Sequence, residues 1–176
     1  MVDVMDSRAR SRLMTNVRGR GNRSTELRLV VLLRRLGIRG WRRQTRLIGT
    51  PDIVFRAIRI VVYADGCFWH GCPRHYTSPA TRAAYWRKKV ADNRARDQKL
   101  ARRLRRQGWS VWRIWECRIR QDRLPRRLIR LIAAKTAGRS ARESTPGRSD
   151  SITRKVLKRA SRIQNRFEGR TQSASA

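Results

Sequence analysis

Between positions 25 and 36 the apolar residues fall at Leu29, Leu32, Leu33 and Leu36. That i, i+3, i+4, i+7 spacing lines one face of a helix, which is predicted over Thr25–Leu36. Asn22 or Ser24 can cap it, Glu26 sits in its first turn, and Gly37 stops it. The pattern then shortens. Trp41–Ile48, Asp52–Phe55 and Arg59–Ala64 read as strands, with Gly49 and Pro51 breaking the first pair and Arg56-Ala57 joining the last two as a hairpin. Pro79–Gln107 reads as a long helix ended by Gly108, and Trp109–Trp115 as a further strand. Pro125 opens a last helix, Arg126–Thr136, striped by Leu128, Ile129, Leu131 and Ile132. Helix, three strands, helix, strand, helix predicts an α/β fold with a central mixed sheet flanked by helices.

The apolar pattern fades at both ends. Residues 1–22 are polar and basic and read as an arm. Residues 138–176 have too few apolar anchors to fold alone and read as a disordered basic tail, which leaves 23–137 as the folded domain. Charge changes the picture more than length does. With 45 Lys and Arg against 12 Asp and Glu, the formal net charge is +33. Self-repulsion of that size calls for a polyanionic partner, and an Arg-rich surface suits phosphate. Nucleic acid is the expected partner. No long apolar run suggests a membrane span, and Met1–Arg20 lacks the apolar core of a signal peptide. A cytoplasmic, nucleoid-associated monomer is expected.

Three cysteines, an odd number, argue against a disulfide framework. Cys67, Cys72 and His75 lie in one short turn after the apolar run 58–64, and Cys117 follows the later strand. Together they can supply the tetrahedral Cys3His set of a structural zinc site. The plainer reading keeps Cys67 and Cys117 as buried free thiols, and His70 can stand in for His75. Asp52 opens a strand near the acid that ends another, Asp65. Carboxylates so placed suit magnesium, which takes one or two of them and leaves room for water and phosphate; alternatively Asp52 caps a turn. His70 offers an imidazole, the side chain suited to take a proton from an attacking water, or to bind zinc or phosphate. Glu26 and Asp97 can hold metal-bound waters or orient His70; Asp97 can equally pair with Arg94 or Arg96. Phe68-Trp69 and Tyr85-Trp86, set among cations, can stack on or wedge between bases, or pack in a core.

These residues together resemble the very short patch repair DNA mismatch endonucleases. The likeness runs from about Arg10 to Cys117. It rests on Met14-Thr15-Asn16-Val17-Arg18-Gly19, Glu26, Thr50-Pro51-Asp52-Ile53-Val54-Phe55, the turn from Asp65 through Cys67, Phe68, Trp69, His70 and Cys72 to His75, Tyr85-Trp86 with Asn93-Arg94-Ala95-Arg96-Asp97, and Gly108-Trp109 leading to Trp115-Glu116-Cys117. The resemblance implies a restriction-endonuclease-like core with a structural zinc. It implies a magnesium-dependent nick on the 5′ side of the thymine in a T:G mismatch left by 5-methylcytosine deamination. Asp52 and the Ala64 carbonyl are then the magnesium ligands, and His70 is the catalytic histidine. Glu26 and Asp97 stand at the metal-water shell, and Phe68, Trp69 and Trp86 intercalate beside the mismatch. The arm clasps double-stranded DNA, and mismatch-repair proteins are further partners. Some members carry histidine where Asp65 stands. The Glu-x-Lys element of the wider nuclease superfamily is absent, which puts His70 forward as its replacement. Two other readings stand beside this one: a non-catalytic basic zinc module that binds nucleic acid, and a related nuclease that serves restriction.

Overall fold

The computed structural model describes residues 21–43 and 45–143, together with Lys158 and Arg162. Most of the arm and of the tail expected from sequence lie outside the described residues. Asn22 accepts a hydrogen bond from the Ser24 N–H and caps a single π-helical turn, Arg23–Leu27, which runs into helix α1 (Arg28–Arg35). Gly37 ends it at φ 71°, a left-handed conformation that costs glycine little. Strand β1 (Ile53–Phe55), a 3-10 turn (Arg56–Ile58) and strand β2 (Ile60–Asp65) follow. Helix α2 (Ala83–Arg106) then leads to strand β3 (Ser110–Trp115), a short helix α3 (Glu116–Arg120) and helix α4 (Arg126–Glu143).

The sheet has the order β1-β2-β3. β1 runs antiparallel to β2, with Ile53 opposite Val62, and β3 runs parallel to β2, from Ile60 opposite Ser110 to Asp65 opposite Trp115. A parallel pair needs a long return path, and α2 supplies it. The expected mixed α/β sheet is therefore present, with differences in detail. Trp41–Ile48 is not a strand: Arg42 makes one antiparallel bridge to Val54, and Arg43 turns away to pair with Glu26. The link between β1 and β2 is a 3-10 turn closed by Arg59 at φ 53°, longer than a tight hairpin. α2 starts at Ala83 and not Pro79, behind a left-handed Arg82. α4 continues past Thr136, through Gly138, to Glu143.

Strand alternation sends successive side chains to opposite faces. One face carries Ile53, Phe55, Ile60, Val62 and Ile114, packed against Leu29, Leu32 and Leu33 of α1 and Leu128 and Ile129 of α4. The other carries Val54, Val61 and Tyr63 against Leu104 of α2. Toward the ends of β2 and β3 this second face becomes ionic, with Asp65 and Arg113.

Candidate active site and metal centre

The turn after β2 is held from two sides. Within it, Cys72 N–H donates to the Cys67 carbonyl (2.9 Å) and Tyr76 N–H to the Cys72 carbonyl (3.0 Å). α2 grips it from outside. Asn93 Nδ2 donates to the Trp69 carbonyl (2.9 Å), Arg94 Nε to the His70 carbonyl (3.0 Å), and Arg94 Nη2 to the Gly71 carbonyl. The approach is so close that a Cβ on Gly71 would lie 2.7 Å from Val90 Cγ1, and Gly71 is left-handed at φ 64°. Only glycine meets both conditions. From the other side, Glu116 at the start of α3 accepts from the Cys67 N–H (3.2 Å).

This bracing gathers Cys67, Cys72, His75 and Cys117, whose ligand atoms all lie within 4.8 Å of one another. Cys72 Sγ is 3.7 Å from His75 Nδ1 and 3.9 Å from Cys117 Sγ. A tetrahedral zinc with bonds of about 2.3 Å to sulfur has ligand–ligand edges of about 3.8 Å, so the donors fit that ion in type and spacing. Burial opposes ionisation of the Cys72 thiol. Hydrogen bonds from the Arg74 backbone and from His75 outweigh it and bring its pKa down to about 7, toward the thiolate that binds metal. His70 is not part of the cluster; its ring turns to α2 instead.

There His70 Nδ1 lies 2.6 Å from Asp97 Oδ2. Burial raises the Asp97 pKa, but the His70 hydrogen bond and the charges of Arg113 and Arg96 outweigh it and hold the carboxyl below its ordinary value. An ionised carboxylate only accepts, so Nδ1 is the donor, and it is Nε2 that faces away from Asp97 to exchange a proton. His70 and Asp97 line an open cleft of about 620 Å³ whose walls include Asp65, Arg94, Arg102, Arg105 and Arg113. Asp52 and Glu26 do not line it.

Asp52 meets the far edge of β2. Thr50, left-handed at φ 42°, and Pro51 deliver it to the sheet, where Oδ2 accepts from the Ala64 N–H (2.8 Å). Burial pushes its pKa up to about 6; the Ala64 N–H works against that shift, and the charges of Glu26 and Asp65 add to it. A carboxylate desolvated among other carboxylates is a place where a cation relieves strain on the charge. The donor set is hard oxygen, which suits magnesium. Glu26 is 4% exposed and already engaged, accepting from Arg43 Nη2 (2.6 Å) and from the Gly21 N–H (2.5 Å). Asp65 is engaged too: both its oxygens accept from Arg113, each at 2.6 Å. Arg113 is not among the site residues expected from sequence, where it stands only as part of the strand Trp109–Trp115. A charged residue two places from both Val111 and Trp115, inside an apolar strand, was the available signal.

The three aromatic residues expected to intercalate do converge. Phe68 packs edge-on against Trp69 (centroids 5.3 Å apart) and Trp86 (5.0 Å), and Trp69 lies 6.0 Å from Trp86. Phe68 and Trp69 are half-buried, and Trp86 is 9% exposed. Consecutive Phe68 and Trp69 thus share one aromatic cluster, bordered by Tyr85, which is exposed.

Comparison with known proteins adds a second line. The family model described as DNA mismatch endonuclease Vsr matches residues 2–77. The type II nicking enzyme V.XorIIP of Xanthomonas oryzae pv. oryzae is 40% identical over 121 residues, which are 68% of this chain and 88% of that protein. The DNA mismatch endonuclease Vsr of Escherichia coli is 37% identical over 123 residues, 68% of this chain and 77% of that protein. The type II nicking enzyme V.NaeI of Lentzea aerocolonigenes is 46% identical over a shorter stretch of 72 residues, 41% of this chain and 43% of that protein.

Proposed function

This chain belongs to the DNA mismatch endonuclease Vsr family, and from that premise we propose that it nicks one strand of double-stranded DNA 5′ of the thymine in a T:G mismatch. The observation that carries the reading is the 2.6 Å contact of His70 Nδ1 with Asp97, at a cleft walled by Arg94, Arg102 and Arg105. Asp97 holds the ring in one tautomer. His70 Nε2 then takes the proton of the attacking water as the phosphodiester bond breaks. The arginines draw the DNA backbone into the cleft.

Asp52 and the Ala64 carbonyl are the residues that would hold magnesium, with Glu26 nearby. When bound, magnesium would supply stabilisation for charge that builds on the phosphate in the transition state. Zinc in the Cys67, Cys72, His75 and Cys117 cluster would anchor the turn that presents Phe68, Trp69 and His70. Phe68, Trp69 and Trp86 are the residues we assign to the mismatch. Opening their cluster lets the half-buried pair wedge between bases.

The relatives called type II nicking enzymes favour a second reading, a nick placed by DNA sequence in the service of restriction. Two matched sets of duplexes separate them, with and without a T:G pair, each assayed with and without magnesium. The expected result is a single-strand nick only at T:G and only with magnesium. Asp52→Ala should lose nicking while DNA binding persists. Equal cutting of paired duplexes, or undiminished nicking by Asp52→Ala, would overturn the proposal. A non-catalytic module would bind without cutting at all. Metal analysis of the purified protein should find one zinc per chain, and a chelator strong enough to remove it should lower the unfolding temperature.

A further inference from the structure

Asp65 and Arg113 occupy neighbouring parallel strands, on the face that meets α2. Their contact is a two-pronged ion pair: Arg113 Nε donates to Asp65 Oδ2 and Nη2 to Oδ1, both at 2.6 Å. The Arg113 guanidinium also sits over the Tyr63 ring, 5.0 Å from its centroid, which limits its rotation. Its Nη2 makes one more bond, to Asp97 Oδ2 at 2.9 Å. That oxygen is the one that accepts from His70 Nδ1 at 2.6 Å. Two donors therefore share a single oxygen, and the histidine holds the shorter contact.

We propose that Asp65 and Arg113 form a positioning clamp, in which Asp65 occupies the arginine fork so that Asp97 is left to orient His70. The clamp rests on the reading of His70 as the base. Planar pairing of a guanidinium with a carboxylate takes up two of its donors in one plane. While Asp65 is charged, Arg113 is committed there and reaches Asp97 only with a shared nitrogen. Neutralise Asp65 and the fork loses its partner. The guanidinium is then largely buried, with side-chain exposure of 27%, and Asp97 is the remaining carboxylate it touches. It swings toward that oxygen and displaces His70. Both clamp residues also line the cleft, so removing the Asp65 charge should leave binding of polyanionic DNA intact or tighter, and a misoriented His70 shows itself in the chemical step. The effect falls on turnover.

Asp65→Asn should therefore lower kcat about tenfold, the scale of coupling within one ion-pair network, without a rise in KM. Asp65→Asn combined with Arg113→Gln removes the competitor as well as its partner. The double variant should turn over faster than Asp65→Asn alone when kcat is referred to the folded fraction; a pair that serves only stability would recover folded protein and leave that kcat unchanged. Arg113→Lys keeps the charge but lacks the fork, and should also lose turnover.

A second readout does not depend on nicking. The chain has 2 histidines, so the hydrogen-bonded Nδ1 proton of His70 can be assigned by nuclear magnetic resonance and checked by its loss in Asp97→Asn. It should move upfield in Asp65→Asn and return in the double variant. If wild type does not nick, the reading of the function fails, and this resonance alone still decides the clamp. If wild type nicks, the clamp is overturned by an Asp65→Asn protein with unchanged kcat and unchanged His70 resonance. It is equally overturned by a double variant whose loss is the product of the two single losses.

Discussion

The two faces of the sheet come from the same strands and share the same alternation, yet they do different work. The face toward α1 and α4 is hydrocarbon throughout, with Phe55, Ile53, Ile60 and Ile114 at 2% exposure or less. The face toward α2 starts the same way, with Val54 and Val61, then changes at Tyr63 to Asp65 and Arg113. The change happens at the carboxyl ends of the parallel pair, where open α/β sheets place their ligands. Antiparallel β1 brings its amino end to the same edge, and that is how Asp52 reaches the Ala64 N–H. One face supplies cohesion; half of the other is released from packing to hold charge.

The sharpest way to break this division is from the apolar side. Phe55→Ala should cost about 3–5 kcal/mol of unfolding free energy, through lost burial and a residual cavity. The folded fraction should keep its kcat. Denaturant titration and nicking on one preparation check both, and a kcat loss beyond the unfolded fraction would show that the faces are not separable. From the ionic side, His70→Ala should lower kcat about 100- to 10,000-fold. Its stability should fall by no more than about 1–3 kcal/mol, the cost of leaving the buried Asp97 carboxylate one hydrogen bond short.

How much of this division could be read from sequence depends on how local its signals are. The α1 stripe and the strand β2 were legible because apolar spacing alone defines them. The cluster of Cys67, Cys72, His75 and Cys117 was legible because so few residues of those types are present. Either histidine of that turn could complete the set from sequence, and in the structure His75 joins the cluster while His70 goes to Asp97. Trp41–Ile48 departs from the expected strand because Arg43 finds its partner elsewhere: its pairing with Glu26 is a tertiary contact that no local pattern encodes. The commitment of Asp65 to Arg113 was hidden for the same reason, 48 residues apart in the chain. Helix α3 is five residues, too short for any periodicity to show.

At the ionic half of the second face, one carboxylate beside the sheet and one on helix α2 should have pH dependences that run in opposite directions. Asp52 has its pKa raised to about 6, by burial first. Its contribution to stability is present below its unfolded value, about 3.9, and is lost as pH rises through about 6. Without added magnesium, Asp52→Asn should be more stable than wild type above that pH, by about 1–3 kcal/mol. Added magnesium should narrow the gap by binding wild type alone. A variant that is less stable at pH 8 would mean that the charge is well solvated.

Asp97 gives the smallest effect and the opposite sign. His70 and Arg113 overcome the burial that would raise its pKa, so the folded value lies below the unfolded one. Its contribution is then present above the unfolded value and lost as pH falls through the lowered folded value. Asp97→Asn should accordingly lose stability at neutral pH and converge on wild type in acid, where both carry an uncharged side chain. Thermal unfolding of the two proteins from pH 7 down to about pH 3 measures the convergence, within the range where carboxylates titrate. Parallel curves that never meet would assign the loss to altered packing. Convergence with Asp97→Asn, set against divergence with Asp52→Asn at high pH, would establish that the layer between the sheet and α2 holds one carboxylate charged by its neighbours and another that resists charge until a cation arrives.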